Sequence, residues 1–249
     1  MGIGGSSFAV RQKVGVWGED TFLAHFKAHP EYGLTPLRYG EAYSGRGKAK
    51  SKGDAVCRPD LLLLETRKVE ALQAAGIPLS SAVDLRTLPD CDRVIEKVVA
   101  ASLVAVEVKF SHRKYVEGHV KFIIDEGRKA RYEQWLSRTR GIGALTVWLT
   151  TDRAWIAPTE QVFRDGTEEE RTYEMRGGAG RKKKTWNLPV ESALPFANVT
   201  GYELNKTFKA SLQWTTSGGI EFDVTDDLGD FSDVQVATLR RLAKSVRRA

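Results

Sequence analysis

Two short segments place charged side chains where a buried strand would otherwise hold apolar ones. Asp60 comes directly before the apolar run Leu61–Leu64, and Glu107 and Lys109 alternate with valines in Val106–Phe110. Because alternate side chains of a strand share a face, we expect Glu107 and Lys109 to point the same way. A carboxylate in such a strand needs a partner, and a divalent cation shared with Asp60 would supply it.

Carboxylate ligands of this kind suit Mg²⁺, which keeps several waters and needs only one or two protein carboxylates. A bound Mg²⁺ polarises a phosphoryl oxygen, stabilises the leaving oxyanion and lowers the pKa of a coordinated water. Lys109 would orient or deprotonate that water, or stabilise charge on the attacked phosphate. These residue types therefore predict in-line hydrolysis of a phosphodiester.

The elements that must hold these residues follow from the spacing of apolar positions. A first helix is expected from Phe8 to about His29, and a later one over about Phe122–Arg138. Residues 66–101 are expected to contain two helices, the second capped near Asp92. Strands are expected where branched apolar residues cluster, at 34–42, 61–64, 102–110 and 144–150. The order is helix, strand, strand, insertion, strand, helix, strand.

Pro59-Asp60 followed by Glu107-Val108-Lys109 resembles the motif of the PD-(D/E)XK nuclease superfamily, which includes most type II restriction endonucleases. The family's core, helix–three strands–helix–strand, is similar to the order expected over about residues 8–158. The resemblance implies an α/β fold with a restriction-endonuclease-like core, a central mixed sheet flanked by helices. It also implies that Asp60, Glu107 and Lys109 are catalytic, with Mg²⁺ on Asp60 and Glu107.

The resemblance extends to the two helices around this motif. The first helix of the family often carries a glutamate that faces the site, and Glu19 is the matching residue here. Polar or basic residues on the later helix would correspond to Lys129 or Gln134. A stand-alone chain of this length, without an ATPase motif, is most similar to a sequence-specific type II restriction enzyme. Such enzymes are homodimers, because two-fold symmetric sites are cut by two-fold symmetric enzymes.

The composition divides the chain near residue 160. Residues 1–160 are expected to form the nuclease core, with a helical insertion at about 66–101. Residues 161–249 are expected to form a basic, β-rich C-terminal extension for recognition or dimerisation. Within it, short strands are expected at about 201–214 and 219–224, and a basic helix over about 233–248.

The charge balance favours a polyanionic partner, here double-stranded DNA. The chain has 38 Lys and Arg against 32 Asp and Glu, a formal net charge of +6. Cations that contact phosphates add salt-sensitive affinity. Two expected loops concentrate such cations: Arg46, Lys48, Lys50 and Lys52 in one, and Arg181, Lys182, Lys183 and Lys184 in the other.

Several classes of protein are excluded or disfavoured. Cys57 and Cys91 are the only cysteines, so a cysteine zinc site is excluded and a reducing, cytoplasmic location is expected. The sequence contains no uninterrupted run of about 18 apolar residues, so no membrane-spanning segment is expected. No phosphate-binding P-loop motif is present, so no nucleotide cofactor is expected.

Alternatives remain open at this point. A DNA repair nuclease or junction resolvase would use the same chemistry, as would an RNA-directed nuclease. A non-catalytic DNA-binding protein could use a degenerate nuclease fold. Glu107 and Lys109 could instead pair only with each other on an exposed edge strand. Finally, His119, Lys121 and Asp125 resemble the HxK…D motif of phospholipase D-type nucleases, with one residue fewer before the aspartate.

Overall fold

The fold is described from a computed structural model. It covers residues 8–40, 58–79, 85–88, 92–110, 115–139, 142–150, 152–173, 181–198 and 233–246. Within these ranges the protein is an α/β structure in which helices flank a mixed central sheet.

Six strands form the central sheet. In spatial order they are β1 (Leu34–Arg38), β2 (Leu61–Glu65), β3 (Val104–Phe110), β5 (Ala144–Leu149), β6 (Arg153–Pro158) and β9 (Leu194–Asn198). Only β3 and β5 run parallel to each other among these neighbours. A second, antiparallel sheet has the order β4 (Lys121–Asp125), β8 (Arg181–Pro189) and β7 (Thr167–Tyr173).

In the described part of the chain, six α-helices surround the sheets: α1 (Phe8–Ala28), α2 (Thr66–Ala74), α3 (Arg93–Ala101), α4 (Glu126–Arg138), α5 (Thr159–Asp165) and α6 (Asp233–Ser245). Single 3₁₀ turns lie at Pro30–Tyr32, Leu85–Thr87 and Val190–Ser192. No helix in the described part of the chain is long and apolar enough to cross a membrane.

Both faces of the central sheet are covered, which explains why β2 is a continuous run of leucines. One face, with Val106 and Val108 of β3, packs against α1 and α6. The opposite face, with Ala105 of β3, packs beneath α3 and α4. Glu107 and Lys109 lie farther along that second face, where their side chains are 19% and 21% exposed. The alternation in β3 therefore separates a core face from a face with charged residues.

The two helices expected within residues 66–101 are present as α2 and α3. The backbone N–H of Val94 donates a 2.7 Å hydrogen bond to the side chain of Asp92, one of the residues of the segment 89–92 that is expected to cap this helix. Buried residues of this insertion (Val69, Leu85, Ile95 and Val98) contact the sheet face beneath α4. The insertion thus leaves the pairing of β2 with β3 intact.

Two expectations about local structure are wrong. The expected helix from Phe122 begins only at Glu126, because Phe122 and Ile124 alternate with more exposed residues and pair with β8 as strand β4. Asp125 then caps α4 by accepting a 2.9 Å hydrogen bond from the backbone N–H of Arg128. The expected basic loop at Arg181–Lys184 is the beginning of strand β8 instead, opposite the acidic strand β7.

The sheets continue across residue 160. Strand β9 extends the central sheet beside β6, and α6 contributes Val236, Leu239 and Ala243 to the core beneath β3 and β5. The change of composition near residue 160 therefore does not coincide with a break between layers. The strands expected near residues 201–214 and 219–224 lie outside the described residues.

The packing of the central sheet predicts a difference between two leucines. Leu145 is fully buried, whereas Leu194 on the edge strand β9 is 40% exposed. Leu145→Ala leaves a cavity and should lower the free energy of unfolding by about 2–5 kcal/mol, measured by urea denaturation. Leu194→Ala, the matched control, should lower it by clearly less, and equal losses would contradict this description of the core.

Candidate active site

Asp60 and Glu107 are brought together by the antiparallel pairing of β2 with β3. Leu61 lies opposite Val106, so the residue before Leu61 comes to lie beside the residue after Val106. The backbone N–H of Val108 donates a 2.7 Å hydrogen bond to Oδ2 of Asp60, and the Asp60 carboxyl also hydrogen-bonds to that of Glu107. The two expected metal ligands are therefore immediate neighbours.

The backbone of Asp60 is held by the end of β1. The N–H groups of Tyr39 and Gly40 donate to its carbonyl oxygen at 3.0 and 2.9 Å. A Cβ atom at position 40 would lie 3.0 Å from the Cα of Asp60. A side chain at this position would push the two segments apart by a few tenths of an ångström, so Gly40 is a positioning residue.

Arg58 anchors the segment that carries Asp60. Its buried guanidinium donates to the carbonyl oxygens of Leu85 and Leu88 at 3.2 and 2.8 Å and lies 5.0 Å from the centre of the Tyr39 ring. The Tyr39 hydroxyl in turn accepts a 3.0 Å hydrogen bond from the indole of Trp135. Sequence reasoning missed this role, because the carbonyl partners lie 27 and 30 residues away and carry no side-chain signal.

Two cations contact the carboxylate of Glu107. Oε1 accepts hydrogen bonds from Nζ of Lys109 and, at 3.1 Å, from Nη1 of Arg128. Glu107 and Lys109 thus lie on one strand face, as the alternation predicts. Strand β3 lies in the interior of the sheet, so the alternative of an isolated pair on an edge strand is wrong.

Arg128 is the residue of α4 that reaches this group. The resemblance pointed to Lys129 or Gln134 instead, but Nζ of Lys129 lies 4.3 Å from the centre of the Trp186 ring and Gln134 is exposed on the outer face of the helix. Because Asp125 caps α4, the helix begins in a register that turns Arg128 toward β3. That register could not be foreseen while residues 122–125 were expected to be helical.

Glu19 joins the group from α1. Gly18 permits this, because a Cβ atom there would lie 3.0 Å from Cβ of Phe110, so the helix packs closely on β3. Oε2 of Glu19 lies 3.8 Å from Nη1 of Arg38, which also contacts Asp20. Its charge interacts with those of Lys109, Glu107 and Asp60. The structure therefore brings together all four residues expected in the site.

The three carboxyl groups respond differently to their surroundings. Burial raises the pKa of Asp60 well above its usual range, and the nearby charge of Glu107 raises it further. Burial also raises the pKa of Glu19. Burial acts in the same direction on Glu107, but Lys109 and Arg128 outweigh it and lower the pKa of that group. The pKa values of the two neighbouring carboxyl groups are thus shifted in opposite directions, and a cation held between them would favour the ionised form of both.

The carboxyl groups of Asp60 and Glu107 fit Mg²⁺ if waters supply its other ligands. No cluster of three or more His, Cys, Asp or Glu residues suited to a metal ion occurs among the described residues. A cation here would therefore rest on Asp60 and Glu107, and waters would complete its coordination. Mg²⁺ accepts such a set, whereas a structural zinc site would need four protein ligands.

The described residues include only part of the expected DNA-binding set. Arg46, Lys48, Lys50 and Lys52 lie outside the described residues. In β8 the expected phosphate-binding lysines are paired with acids: Lys182 with Glu170 at 2.7 Å, Lys184 with Glu168 at 2.8 Å, and Lys183 with Asp125 at 3.6 Å. DNA binding by this strand stays a prediction, and phosphates would have to compete with these carboxylates.

Two residues of the alternative motif of His119, Lys121 and Asp125 make other contacts in the structure. Lys121 lies 3.5 Å from Glu169 in the second sheet. Asp125 caps α4 and contacts Lys183. Two of the three residues of this motif therefore make contacts that stabilise the second sheet and the start of α4.

The raised pKa of Asp60 predicts how a neutral side chain changes stability. A raised folded-state pKa means that ionisation opposes folding, an effect that grows above the ordinary pKa of 3.8 and is complete above the folded-state value. Asp60→Asn should therefore raise the urea midpoint at pH 7 in EDTA. Asparagine can still accept the hydrogen bond from Val108.

Glu191→Gln provides the matched control for this substitution. Glu191 accepts hydrogen bonds from Tyr115 and Gly118; although burial raises its pKa, these bonds dominate and lower it. The urea midpoint of Glu191→Gln should be unchanged or lower. A lowered midpoint for Asp60→Asn would show that the Asp60 carboxylate is stabilised by its surroundings.

Comparisons of the chain with protein-family models, with curated proteins and with solved structures found no match. The function must therefore be inferred from the geometry of this group of residues.

Proposed function

We propose that the protein is a Mg²⁺-dependent endonuclease that hydrolyses phosphodiester bonds in double-stranded DNA. The observation that supports this most strongly is the convergence of Asp60, Glu107 and Lys109 at one end of strand β3, where Glu107 and Lys109 remain partly exposed. Two adjacent carboxyl groups with a lysine beside them suit phosphoryl transfer, which depends on charge stabilisation and on orienting a water. Within this class we favour a sequence-specific type II restriction enzyme acting as a homodimer.

Asp60 and Glu107 would hold the metal ion. When bound, Mg²⁺ would polarise a phosphoryl oxygen and lower the pKa of a water. Both carboxyl groups are kept close by backbone interactions, since the Val108 N–H fixes one oxygen of Asp60 and β3 fixes Glu107. This rigidity keeps the ligand oxygens together before substrate arrives, so little reorganisation is needed.

Lys109 and Arg128 would act on the substrate phosphate. Their side chains are 21% and 42% exposed, so both reach solvent while contacting Glu107. Lys109 would donate a hydrogen bond to a phosphoryl oxygen or to the attacking water. Arg128 would neutralise charge on the same or an adjacent phosphate. Glu19 belongs to α1, which packs on the other face of β3. Its carboxylate would accept a hydrogen bond from a water near the metal ligands.

A cleavage assay tests the proposal directly. Wild-type protein should cut methylation-free phage DNA into discrete fragments in Mg²⁺ and leave it intact in EDTA. Lys109→Ala should lower the cleavage rate by at least about 100-fold, the size expected when a group that stabilises transition-state charge is removed. Rates are measured from initial fragment yields on gels.

Lys121→Ala is the matched control, because this lysine pairs with Glu169 in the second sheet. It should cleave at the wild-type rate. Non-discrete products would favour a repair nuclease over a restriction enzyme. Cleavage in EDTA would overturn the proposed metal dependence, and DNA binding without cleavage in any metal would favour a non-catalytic DNA-binding protein.

Metal binding can be measured without DNA. Mg²⁺ that binds only the folded state should raise the free energy of unfolding of the wild type, by about 2.7 kcal/mol at 100 times Kd, and the thermal unfolding temperature should rise with Mg²⁺ concentration. Asp60→Asn should lose most of this increase. Asp20→Asn, which alters a neighbouring carboxylate paired with Arg38, should retain it. An equal increase in all three proteins would place the metal elsewhere.

A further inference from the structure

The insertion between β2 and β3 brings a further arginine to the candidate active site. Its 3₁₀ turn, Leu85–Thr87, contacts β1, and the charge of Arg86 in this turn interacts with that of Glu19. Arg86 is partly exposed, whereas the neighbouring Leu85 is fully buried in the core. The turn therefore directs one side chain into the core and the next one toward the site.

Arg58 fixes this turn to the segment that carries Asp60. Its guanidinium donates hydrogen bonds to the carbonyl oxygens of Leu85 and Leu88, which lie on either side of Arg86 in the chain. The backbone N–H of Leu88 also donates to the carbonyl oxygen of Leu85, at 3.2 Å. One buried side chain thus holds both flanks of Arg86, so the fold itself sets the position of Arg86 relative to Asp60.

Two arginines consequently lie on the β1 side of the site. Nη1 of Arg38, at the end of β1, lies 3.8 Å from Oε2 of Glu19, the same carboxyl group that interacts with Arg86. Strand β2 separates β1 from β3, and Asp60 directly precedes β2. Arg38 and Arg86 are therefore separated from β3 by the strand that follows Asp60.

Cations thus lie on both sides of the two candidate metal ligands. Lys109 and Arg128 contact Glu107 on the β3 side, opposite the two arginines of the β1 side. Neighbouring strands of a sheet are about 4.8 Å apart, so β1 and β3 are about 10 Å apart. A DNA strand carries one negative charge per nucleotide, and a strand that lies across β1, β2 and β3 would bring successive phosphates to successive cations.

The charges of this group favour bound phosphates once a metal ion is present. Its carboxyl groups are matched in number by its cationic side chains, with Glu19, Asp20, Asp60 and Glu107 against Arg38, Arg86, Lys109 and Arg128. A divalent cation on two of the carboxyl groups therefore gives the whole group a net positive charge. An arginine suits phosphate in particular, because its guanidinium can donate two parallel hydrogen bonds to phosphate oxygens.

We propose that Arg86 binds the DNA phosphate adjacent to the cleaved one, on the β1 side of the site. This inference rests on the proposed nuclease function. Lys109 would contact the cleaved phosphate, and Arg86 would hold its neighbour in the same strand. The insertion is then part of the DNA-binding surface, and it helps to determine which phosphate reaches the metal ligands.

The salt dependence of DNA binding tests for a phosphate contact. A duplex that contains the mapped cleavage site is bound, in EDTA, to Asp60→Asn with and without Arg86→Gln, and dissociation constants are measured by fluorescence anisotropy. Arg86→Gln should weaken binding on the order of tenfold, because a charged hydrogen-bond donor is lost. It should also reduce the slope of log Kd against log salt concentration by about 0.9, the value for one phosphate contact. Arg86→Lys, which keeps the charge, should preserve the slope.

Arg67→Gln is the matched control, because Arg67 belongs to the same insertion and carries the same charge. Its side chain is 77% exposed and pairs with Glu65, at the opposite end of β2 from Asp60. Its substitution should leave both the dissociation constant and the slope unchanged. Equal changes for Arg67→Gln and Arg86→Gln would reflect only the net charge of the protein and would overturn the inference.

Uncharged methylphosphonate groups locate the contact along the DNA. Duplexes with a single methylphosphonate at each position around the cleaved bond are bound to the same variants. Next to the cleaved phosphate, the modification should weaken binding to Asp60→Asn but have little further effect when Arg86→Gln is also present, because the two changes remove the same contact. Additive effects at every position, or a shared effect only at a more distant phosphate, would overturn the inference.

A second substitution separates DNA binding from a role in holding Glu19. If Arg86 acted only on Glu19, Arg86→Gln would not weaken DNA binding further in a protein that already carries Glu19→Gln. We expect the loss of affinity to persist in that protein, and its absence would overturn the inference.

Failure of this inference is distinguishable from failure of the proposed function. Unchanged DNA binding by Arg86→Gln, in a protein whose wild type cleaves DNA, would overturn the role of Arg86 and leave the nuclease proposal standing. Failure of the wild type to cleave any duplex with any metal ion would overturn both.

Discussion

Repulsion between two neighbouring carboxyl groups is the constraint around which this part of the molecule is built. Asp60 and Glu107 lie side by side at the edge of a hydrophobic core, where charge is poorly solvated. Bringing two such groups together opposes folding unless cations or protons intervene. Lys109 and Arg128 supply two positive charges to Glu107, while burial and the charge of Glu107 raise the pKa of Asp60. The surroundings therefore favour ionisation of Glu107 and oppose ionisation of Asp60.

The backbone around the pair prevents the two groups from moving apart. Gly40 and Tyr39 hold the carbonyl of Asp60, and Arg58 ties the preceding residues to the insertion. Each of these contacts joins a different element to the end of β2. Apolar residues in place of the two carboxyl groups, or a larger distance between them, would make the protein more stable. Several independent contacts nevertheless hold Asp60 beside Glu107, which is the pattern expected of a functional site.

Much of the central sheet could be predicted from the sequence because its strands carry strong local patterns. The leucines of β2 and the alternation of Glu107 with valines in β3 identify both strands, and the order of elements brings Asp60 beside them. The strand at residues 122–125 could not be predicted because its partners, residues 185–188, lie far along the chain. Residues 181–184 pair instead with residues 170–173, and that pairing has no local signal in a basic segment. The contacts of Arg58 could not be predicted either, because they arise only once the layers have packed.

The sequence distances of these contacts also set the order in which the site can form during folding. The hydrogen bond from Val108 to Asp60 closes a separation of 48 residues, and that from Trp135 to Tyr39 a separation of 96. Contacts this distant carry a large loop-closure entropy and form slowly. The two carboxyl groups therefore stay apart while the helices and nearby strand pairs assemble. The two groups repel each other only after enough of the core has formed to hold them together. This repulsion lowers the stability of the folded protein but has little effect on the first steps of folding.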